Sequence, residues 1–103
     1  MTLQEQALKS LDDIKAIDVI DLNVKGLTSV ADNFIVCSGT SNRHVKSIAN
    51  SVVVEAKKAG FHVYGVEGEF TAEWILVNLG DVIVHVMQPE TRERYELEKL
   101  WAQ

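Results

Sequence analysis

The chain has 103 residues, of which 47% are hydrophobic, and its 15 acidic and 10 basic side chains give a formal net charge of −5. This length and composition predict a single domain over residues 1–103 with one modest core, and they exclude a multi-domain protein. The negative charge argues against a nucleic-acid backbone as the main source of binding affinity, and no sequence-specific nucleic-acid recognition is expected.

The N-terminal part of the chain predicts a helix followed by a strand. Thr2 and Glu5 have the spacing of a capping box, in which each side chain bonds the other residue's backbone amide at the start of a helix. Apolar residues at helical intervals extend this helix to about Ala16. The segment 17–24 is rich in β-branched residues and ends before Gly26, so it predicts the first strand.

A second strand and the longest helix follow. The nearly unbroken apolar run 33–37 is typical of an interior strand that is covered on both faces. Ser41 is a good N-cap for the next helix, whose apolar stripe spans 45–56, and Gly60 predicts its end. A third strand is predicted over 61–66, so we expect a right-handed crossover that joins the second and third strands.

The segment 73–87 predicts a two-stranded hairpin with two different faces. Gly80 and Asp81 form its turn, because glycine supplies the positive φ that a type II′ turn needs. Side chains alternate across a strand, so one face collects only aliphatic residues and is expected to face the core. The other face, called the mixed face below, consists of Trp74, Leu76, Asn78, Ile83, His85 and Met87. Trp and Met are enriched at protein contacts, so the mixed face predicts docking of another macromolecule.

The last predicted element is a helix that begins at Pro89. Glu90 and Glu93 favour its first turn and Lys99 favours its end. Its expected buried stripe is Leu97, Leu100 and Trp101. The order α-β-β-α-β-β-β-α predicts a small α/β (α+β) domain with a mixed five-stranded sheet and helices packed on it. We expect the first two helices on one face, which leaves part of the other for the last helix or a partner.

The hairpin lies in a part of the chain that lacks basic side chains. No lysine or arginine occurs between Lys58 and Arg92, whereas this interval holds Glu67, Glu69, Glu73, Asp81 and Glu90. Carboxylates around an apolar patch attract a basic protein and repel nucleic acid. The alternative is that these acids only solvate short loops.

Trp74 and the pair of Glu90 and Arg94 each have a structural alternative to a role in binding. Trp74 either anchors a partner or is covered by the last helix, with Tyr95 or Trp101 against it. Glu90 and Arg94 have the i,i+4 spacing of a pair that stabilises a helix without any role in binding.

No catalytic or metal-binding set can be assembled from the sequence. The single cysteine, Cys37, lies in an apolar strand, where a thiol usually packs inertly, and the three histidines lack metal-ligand spacing. His85 has no orienting partner and no reacting group beside it, so it predicts packing rather than catalysis. The absence of a long apolar run or a signal-peptide pattern predicts a cytoplasmic protein without a membrane span.

The loop 38–41 offers an alternative function. It lies between a strand and a helix N-terminus, where backbone amides could hold a phosphate in a nucleotide-binding or nucleotidyltransferase-like domain. The same residues equally suit a turn and an N-cap. The paired acids that would bind magnesium in a nucleotidyltransferase are missing from the predicted strand 61–66.

The whole pattern resembles the ribosomal silencing factor family, also called Iojap-like, over nearly all of the chain. The features that carry the resemblance are Asp21-Leu22, Ala31-Asp32-Asn33-Phe34, Gly39-Thr40-Ser41, Arg43-His44-Val45, Glu67-Gly68, Trp74, the run from Leu79 to His85, and the closing Arg92, Tyr95, Leu97, Glu98, Leu100 and Trp101. One departure is Asn78, where the family usually carries aspartate. It removes one acid from the mixed face.

The resemblance implies a protein that is not an enzyme and needs no cofactor. It implies binding to the large ribosomal subunit through large-subunit ribosomal protein number fourteen (uL-fourteen), which covers a bridge to the small subunit and blocks subunit joining when nutrients are scarce. From their position on the mixed face, the expected contacts are Trp74 and Leu76 as apolar anchors with His85 and Met87 beside them. Glu73 and Asp81 are expected charged contacts, and Tyr95, Arg92 and Arg94 are further candidates. An exposed apolar patch also predicts a weak homodimer that competes with ribosome binding.

Overall fold

The computed structural model describes residues 1–101 and contains five strands in one mixed sheet with helices on both faces. The elements are α1 (Leu3–Asp13), β1 (Ile17–Asn23), β2 (Asn33–Ser38), α2 (Asn42–Lys58), β3 (Gly65–Glu67), β4 (Trp74–Asn78), β5 (Val82–Met87), α3 (Pro89–Tyr95) and α4 (Leu97–Trp101). The predicted α+β class and mixed five-stranded sheet are confirmed. Within the described residues no helix has both the length and the apolar character needed to cross a membrane.

The order of strands across the sheet is β1-β2-β5-β4-β3, which places β5 at the centre. β5 pairs in parallel with β2 and antiparallel with β4, while β1 and β3 pair antiparallel with β2 and β4 at the two edges. β3 therefore runs parallel to β2, as the expected crossover through α2 requires, but this connection passes over β5 and β4 to the far edge of the sheet. Every residue of β5 is buried, whereas β3 is short and largely exposed, so β5 takes the interior position beside β2.

The third strand is shorter than predicted, since it comprises only Gly65–Glu67. The residues before it are used to leave α2. Gly60 has a φ of +88°, and the Phe61 amide donates to the Ala56 carbonyl at 2.9 Å, which caps the helix end. The edge ladder begins only at Tyr64, whose amide donates to the Asn78 carbonyl at 2.8 Å.

The start of α1 is confirmed as a capping box. The Thr2 amide donates to Glu5 Oε1 at 2.8 Å, and the Glu5 amide donates to Thr2 Oγ1 at 3.1 Å. The helix ends at Asp13 rather than near Ala16, because Lys15 adopts a φ of +60° and turns the chain towards β1.

The larger core lies on the sheet face covered by α1 and α2. Ile48 and Val52 of α2 pack there with Leu11 of α1 and with the aliphatic face of the hairpin. The predicted stripe of α2 and the predicted placement of the first two helices are confirmed.

The last helix is broken in two. Glu96 adopts a left-handed conformation with a φ of +47°, which ends α3 and redirects the chain into α4. Leu97 is buried and Trp101 is half-buried against the opposite sheet face, whereas Leu100 is 72% exposed. The prediction that Leu100 belongs to the buried stripe is wrong, because the break at Glu96 resets which side of the helix faces the sheet.

Candidate functional site

The candidate site is built on the hairpin of β4 and β5, which has the predicted register. Trp74 lies opposite Met87 and Asn78 lies opposite Ile83. Gly80 has a φ of +92°, and its amide donates to Asn78 Oδ1 at 2.9 Å. The side chain of Asn78 therefore fixes the turn.

The two faces of the hairpin differ as expected in chemistry but not entirely in exposure. The aliphatic face is fully buried, as predicted; it consists of Ile75, Val77, Leu79, Val82, Val84 and Val86. On the mixed face, Trp74, Leu76 and Asn78 of β4 are half-buried, whereas Ile83, His85 and Met87 of β5 are buried. Only the β4 side of the mixed face is available to a partner.

The structure corrects the placement of His85 and Met87 as surface contacts. Met87 has no exposed surface and His85 is 5% exposed, because the C-terminal helices cover this half of the sheet. Leu97 packs in one cluster with Met87. The ring of Trp101 meets Phe34 edge-on at a centroid distance of 5.2 Å, and Phe34 in turn meets His85 at 5.2 Å. His85 and Met87 are therefore buried between the sheet and the C-terminal helices and do not lie on the surface.

Trp74 lies between the buried and the exposed parts of the site. Its Nε1–H donates to His85 Nδ1 at 3.1 Å, and its ring lies against Tyr95 with centroids 5.1 Å apart. The alternative that the last helix packs on Trp74 is confirmed for Tyr95, yet Trp74 stays half-buried and Tyr95 is 54% exposed. The hydrogen bond orients the Trp74 ring, and the ring contact places Tyr95 beside it at the surface.

Burial lowers the pKa of His85 to about 4, so the ring is neutral at neutral pH. Because Nδ1 accepts the Trp74 hydrogen bond, the single ring proton is assigned to Nε2. Nε2 has no hydrogen-bond partner within residues 1–101. His85 therefore serves as a neutral acceptor that orients Trp74.

The free energy of unfolding is expected to fall as the pH drops from about 6.5 towards 4, because the unfolded chain protonates His85 and the folded protein does not. Between pH 7 and pH 4.5 this group alone should account for about 2 kcal/mol. Urea denaturation of the natural protein and of His85→Asn at both pH values measures the effect. Asparagine keeps an acceptor for Trp74 but does not titrate. The free energy of unfolding of His85→Asn should therefore fall by about 2 kcal/mol less than that of the natural protein between the two pH values. Equal losses in the two proteins would contradict this role of His85.

The charged residues predicted at the site separate into one structural residue and several surface residues. Arg92 is buried, and its Nη1 donates to Ser38 Oγ at 3.0 Å while its Nε lies 3.4 Å from Glu98 Oε2. The prediction that Arg92 lies on the docking surface is wrong, because its guanidinium ties α3 and α4 to the end of β2. Glu73, Asp81 and Arg94 are exposed and stay predicted contacts.

The loop 38–41 is engaged in holding the fold together. The Gly39 amide donates to the Met87 carbonyl at 3.0 Å, and the Thr40 amide donates to His44 Nδ1 at 2.9 Å. Ser41 Oγ accepts from the His44 amide at 3.1 Å and caps α2. A phosphate would have to displace these bonds, so the geometry favours the turn and the N-cap over a nucleotide site.

The buried thiol and the arrangement of possible metal ligands complete the description of this end of the sheet. Burial raises the pKa of the Cys37 thiol to about 12, which keeps it protonated and unreactive. Among residues 1–101 no group of three or more His, Cys, Asp or Glu side chains is arranged to hold a metal ion.

No role at the site was assigned from the sequence to two aromatic residues that lie at or near it. Phe34 supports His85 from β2, and Phe70 is fully exposed in the loop that leads into Trp74. The available signal for Phe70 was a large aromatic side chain within the turn-forming segment between β3 and β4.

Comparison with known proteins gives a consistent result over the whole chain. Residues 1–103 match the family model described as ribosomal silencing factor during starvation. Ribosomal silencing factor RsfS of Haemophilus influenzae is 49% identical over 102 residues, which cover 99% of this chain and 100% of that protein. A crystal structure of a Chromobacterium violaceum protein superposes with a TM-score of 0.93 at 48% identity and covers 98% of this chain and 87% of that one.

A more distant relative is found in an animal. The mouse protein named mitochondrial assembly of ribosomal large subunit protein 1 is 38% identical over 87 residues, which cover 82% of this chain and 38% of the mouse protein. This chain thus corresponds to a part of that longer protein.

Proposed function

Because this chain belongs to the ribosomal silencing factor family, which gives it a ribosome-associated silencing role, we propose that it binds the large ribosomal subunit and blocks joining of the small subunit. The proposed contact on the large subunit is ribosomal protein number fourteen, and the proposed compartment is the cytoplasm. The choice of the large subunit is supported by the mouse relative, whose name refers to assembly of that subunit.

The observation that carries this proposal is the ring pair of Trp74 and Tyr95 on the β4 side of the mixed face. The His85 hydrogen bond orients the Trp74 ring, and Tyr95 lies against it, so the Trp74 side chain has little conformational entropy left to lose on binding. Half-buried Leu76 extends the apolar area along β4. Ordered aromatic side chains with part of their surface exposed are typical anchors of protein interfaces.

The charge around this patch supports a basic protein as the partner. Exposed Glu73 precedes Trp74, and exposed Asp81 lies in the turn at the other end of the hairpin. No lysine or arginine occurs between Lys58 and Arg92. Ribosomal proteins are typically basic, and opposite charges speed the encounter and orient the partners.

The proposed mechanism is steric and needs no covalent step. The protein measures 31 × 31 × 22 Å along its principal axes. A body of this size, seated on the surface where the two subunits meet, occupies volume that the small subunit requires. The weak homodimer expected from the sequence stays a prediction; it would cover the same patch and compete with the ribosome.

The test is co-sedimentation of the purified chain with separated ribosomal subunits, followed by addition of the other subunit. We expect the chain to pellet with the large subunit alone and to reduce the yield of joined ribosomes in proportion to its occupancy. A chain that stays in the supernatant with both subunits, or that pellets without affecting joining, would contradict the proposal.

A further inference from the structure

Phe70 is the most exposed large apolar side chain among the described residues, with 98% of its surface open to solvent. It lies in the loop 68–73 between β3 and β4, which we call the Phe70 loop. Single exposed apolar residues are common at protein surfaces, so exposure alone assigns no role. The anchored base of the loop and the charges along it are the further observations that indicate a role for Phe70.

The Phe70 loop is anchored at its base. The Ala72 amide donates to the Gly68 carbonyl at 3.0 Å, and the Ala72 side chain is fully buried in the main core. Gln88 bonds the loop twice, through its amide to the Glu73 carbonyl at 2.9 Å and through Nε2 to the Ala72 carbonyl at 3.2 Å. Phe70 is therefore displayed at the tip of a loop whose base is fixed to the core and to the end of the hairpin.

The backbone of this loop is held in a conformation that side chains resist. Gly68 has a φ of +91°, and Ala72, which is not a glycine, has a φ of +56°. Such left-handed residues persist where the surrounding structure imposes them, and they are enriched at functional surfaces. Gly68 adopts this φ freely because it has no β-carbon, so the strain falls on Ala72. Both residues lie at the base, where they set the direction in which the tip leaves the domain.

Four exposed carboxylates lie on or next to the Phe70 loop. Glu67, Glu69 and Glu73 of this region are exposed, and so is Glu90 at the start of α3, next to the Gln88 anchor. None of these four carboxylates forms an ion pair with another residue in the range 1–101. The loop is therefore predominantly acidic, and the exposed base Arg43 follows Asn42, which also bonds the Gln88 anchor. Carboxylates beside an apolar tip disfavour nucleic acid and favour a basic protein.

We propose that Phe70 is a second anchor for the partner that binds the mixed face. The Phe70 ring inserts into an apolar hollow on the surface of that partner, a basic protein. This inference rests on the proposed function, and it extends the docking surface along the chain from Trp74 through the Phe70 loop. The partner is a protein with lysine or arginine around an apolar depression, since such a surface complements both the ring and the carboxylates.

The test measures the dissociation constant of the full chain for purified large ribosomal subunits. Phe70→Ala is expected to raise the constant at least tenfold, while Phe70→Leu, which keeps an apolar tip, should raise it less than threefold. Val54→Ala on the outer side of α2 is the control, because it removes an exposed apolar side chain on the opposite face of the sheet. Glu69→Gln should weaken binding at low salt and flatten its salt dependence.

The outcomes separate this inference from the proposed function. If the natural protein fails to bind large subunits, both are overturned. If the natural protein binds and Phe70→Ala binds equally well, only the second anchor is overturned. If Phe70→Ala lowers affinity for protein-free large-subunit RNA to the same extent, the assignment to a basic protein is wrong. Phe70 touches nothing in the fold, so unchanged thermal unfolding of each variant verifies that a binding loss is local.

Discussion

Trp74→Ala is expected to reduce the affinity for the large ribosomal subunit by about 30-fold to 1,000-fold, the range of 2–4 kcal/mol typical of an interface hot spot. The substitution removes the ring that lies against Tyr95 and leaves His85 Nδ1 without its donor. Both losses act on the β4 side of the mixed face. The measurement is a titration of large subunits with labelled protein, with thermal unfolding recorded in parallel.

Two further variants separate the ring from the hydrogen bond. Trp74→Phe retains an aromatic contact with Tyr95 but has no N–H to donate to His85, so we expect an intermediate loss of affinity. Leu76→Ala removes a neighbouring apolar contact without touching the hydrogen bond. If Trp74→Ala and Leu76→Ala stay folded and both bind as tightly as the natural protein, the mixed face is not the docking surface.

Gly68→Ala is expected to lower the free energy of unfolding by on the order of 4 kcal/mol, a large part of the stability of a small domain. The φ of +91° at Gly68 costs a β-carbon about 1–2 kcal/mol. In addition, that β-carbon would lie 2.0 Å from the Trp74 carbonyl oxygen. Since the obstacle is backbone, relief requires β4 to move.

Gly60→Ala is the matched control for this prediction. Gly60 has nearly the same φ, +88°, but a β-carbon there meets no atom within 4 Å. Its expected cost is therefore the conformational part alone, about 1–2 kcal/mol. Urea denaturation of both variants measures the two changes in the free energy of unfolding. Similar decreases at the two positions would mean that the close approach of Gly68 to the Trp74 carbonyl does not contribute to the cost.

Local features were predictable because a few neighbouring residues determine them. The spacing of Thr2 and Glu5 defines the start of α1, and Gly80 defines the hairpin turn together with the register that follows from it. The order of the strands was not predictable in this way. It depends on which strand is buried on both faces. The polar side chain of His85 predicted that one face of β5 points outward, whereas every residue of β5 is buried.

The sequence predicted which residues belong to the mixed face but not which of them are exposed. Trp74, Leu76 and Tyr95 retain exposed surface, whereas His85, Met87 and Arg92 are buried by the C-terminal helices. The cover depends on the left-handed Glu96 between α3 and α4. Glutamate is not a residue that signals this conformation, so a continuous helix was the natural prediction. The consequence is that half of the mixed face becomes a second, smaller core.

The central position of β5 also determines when the domain can fold during synthesis. β2 finds its parallel partner roughly fifty residues later in the chain, so the longest-range pairing of the sheet is also its central one. A nascent chain that lacks Val82–Met87 has β2 unpaired on one edge and the core under α2 incomplete. The hairpin and the core therefore form in the same late step. An unfinished chain lacks both, so the face that carries Trp74 exists only after β5 has been made.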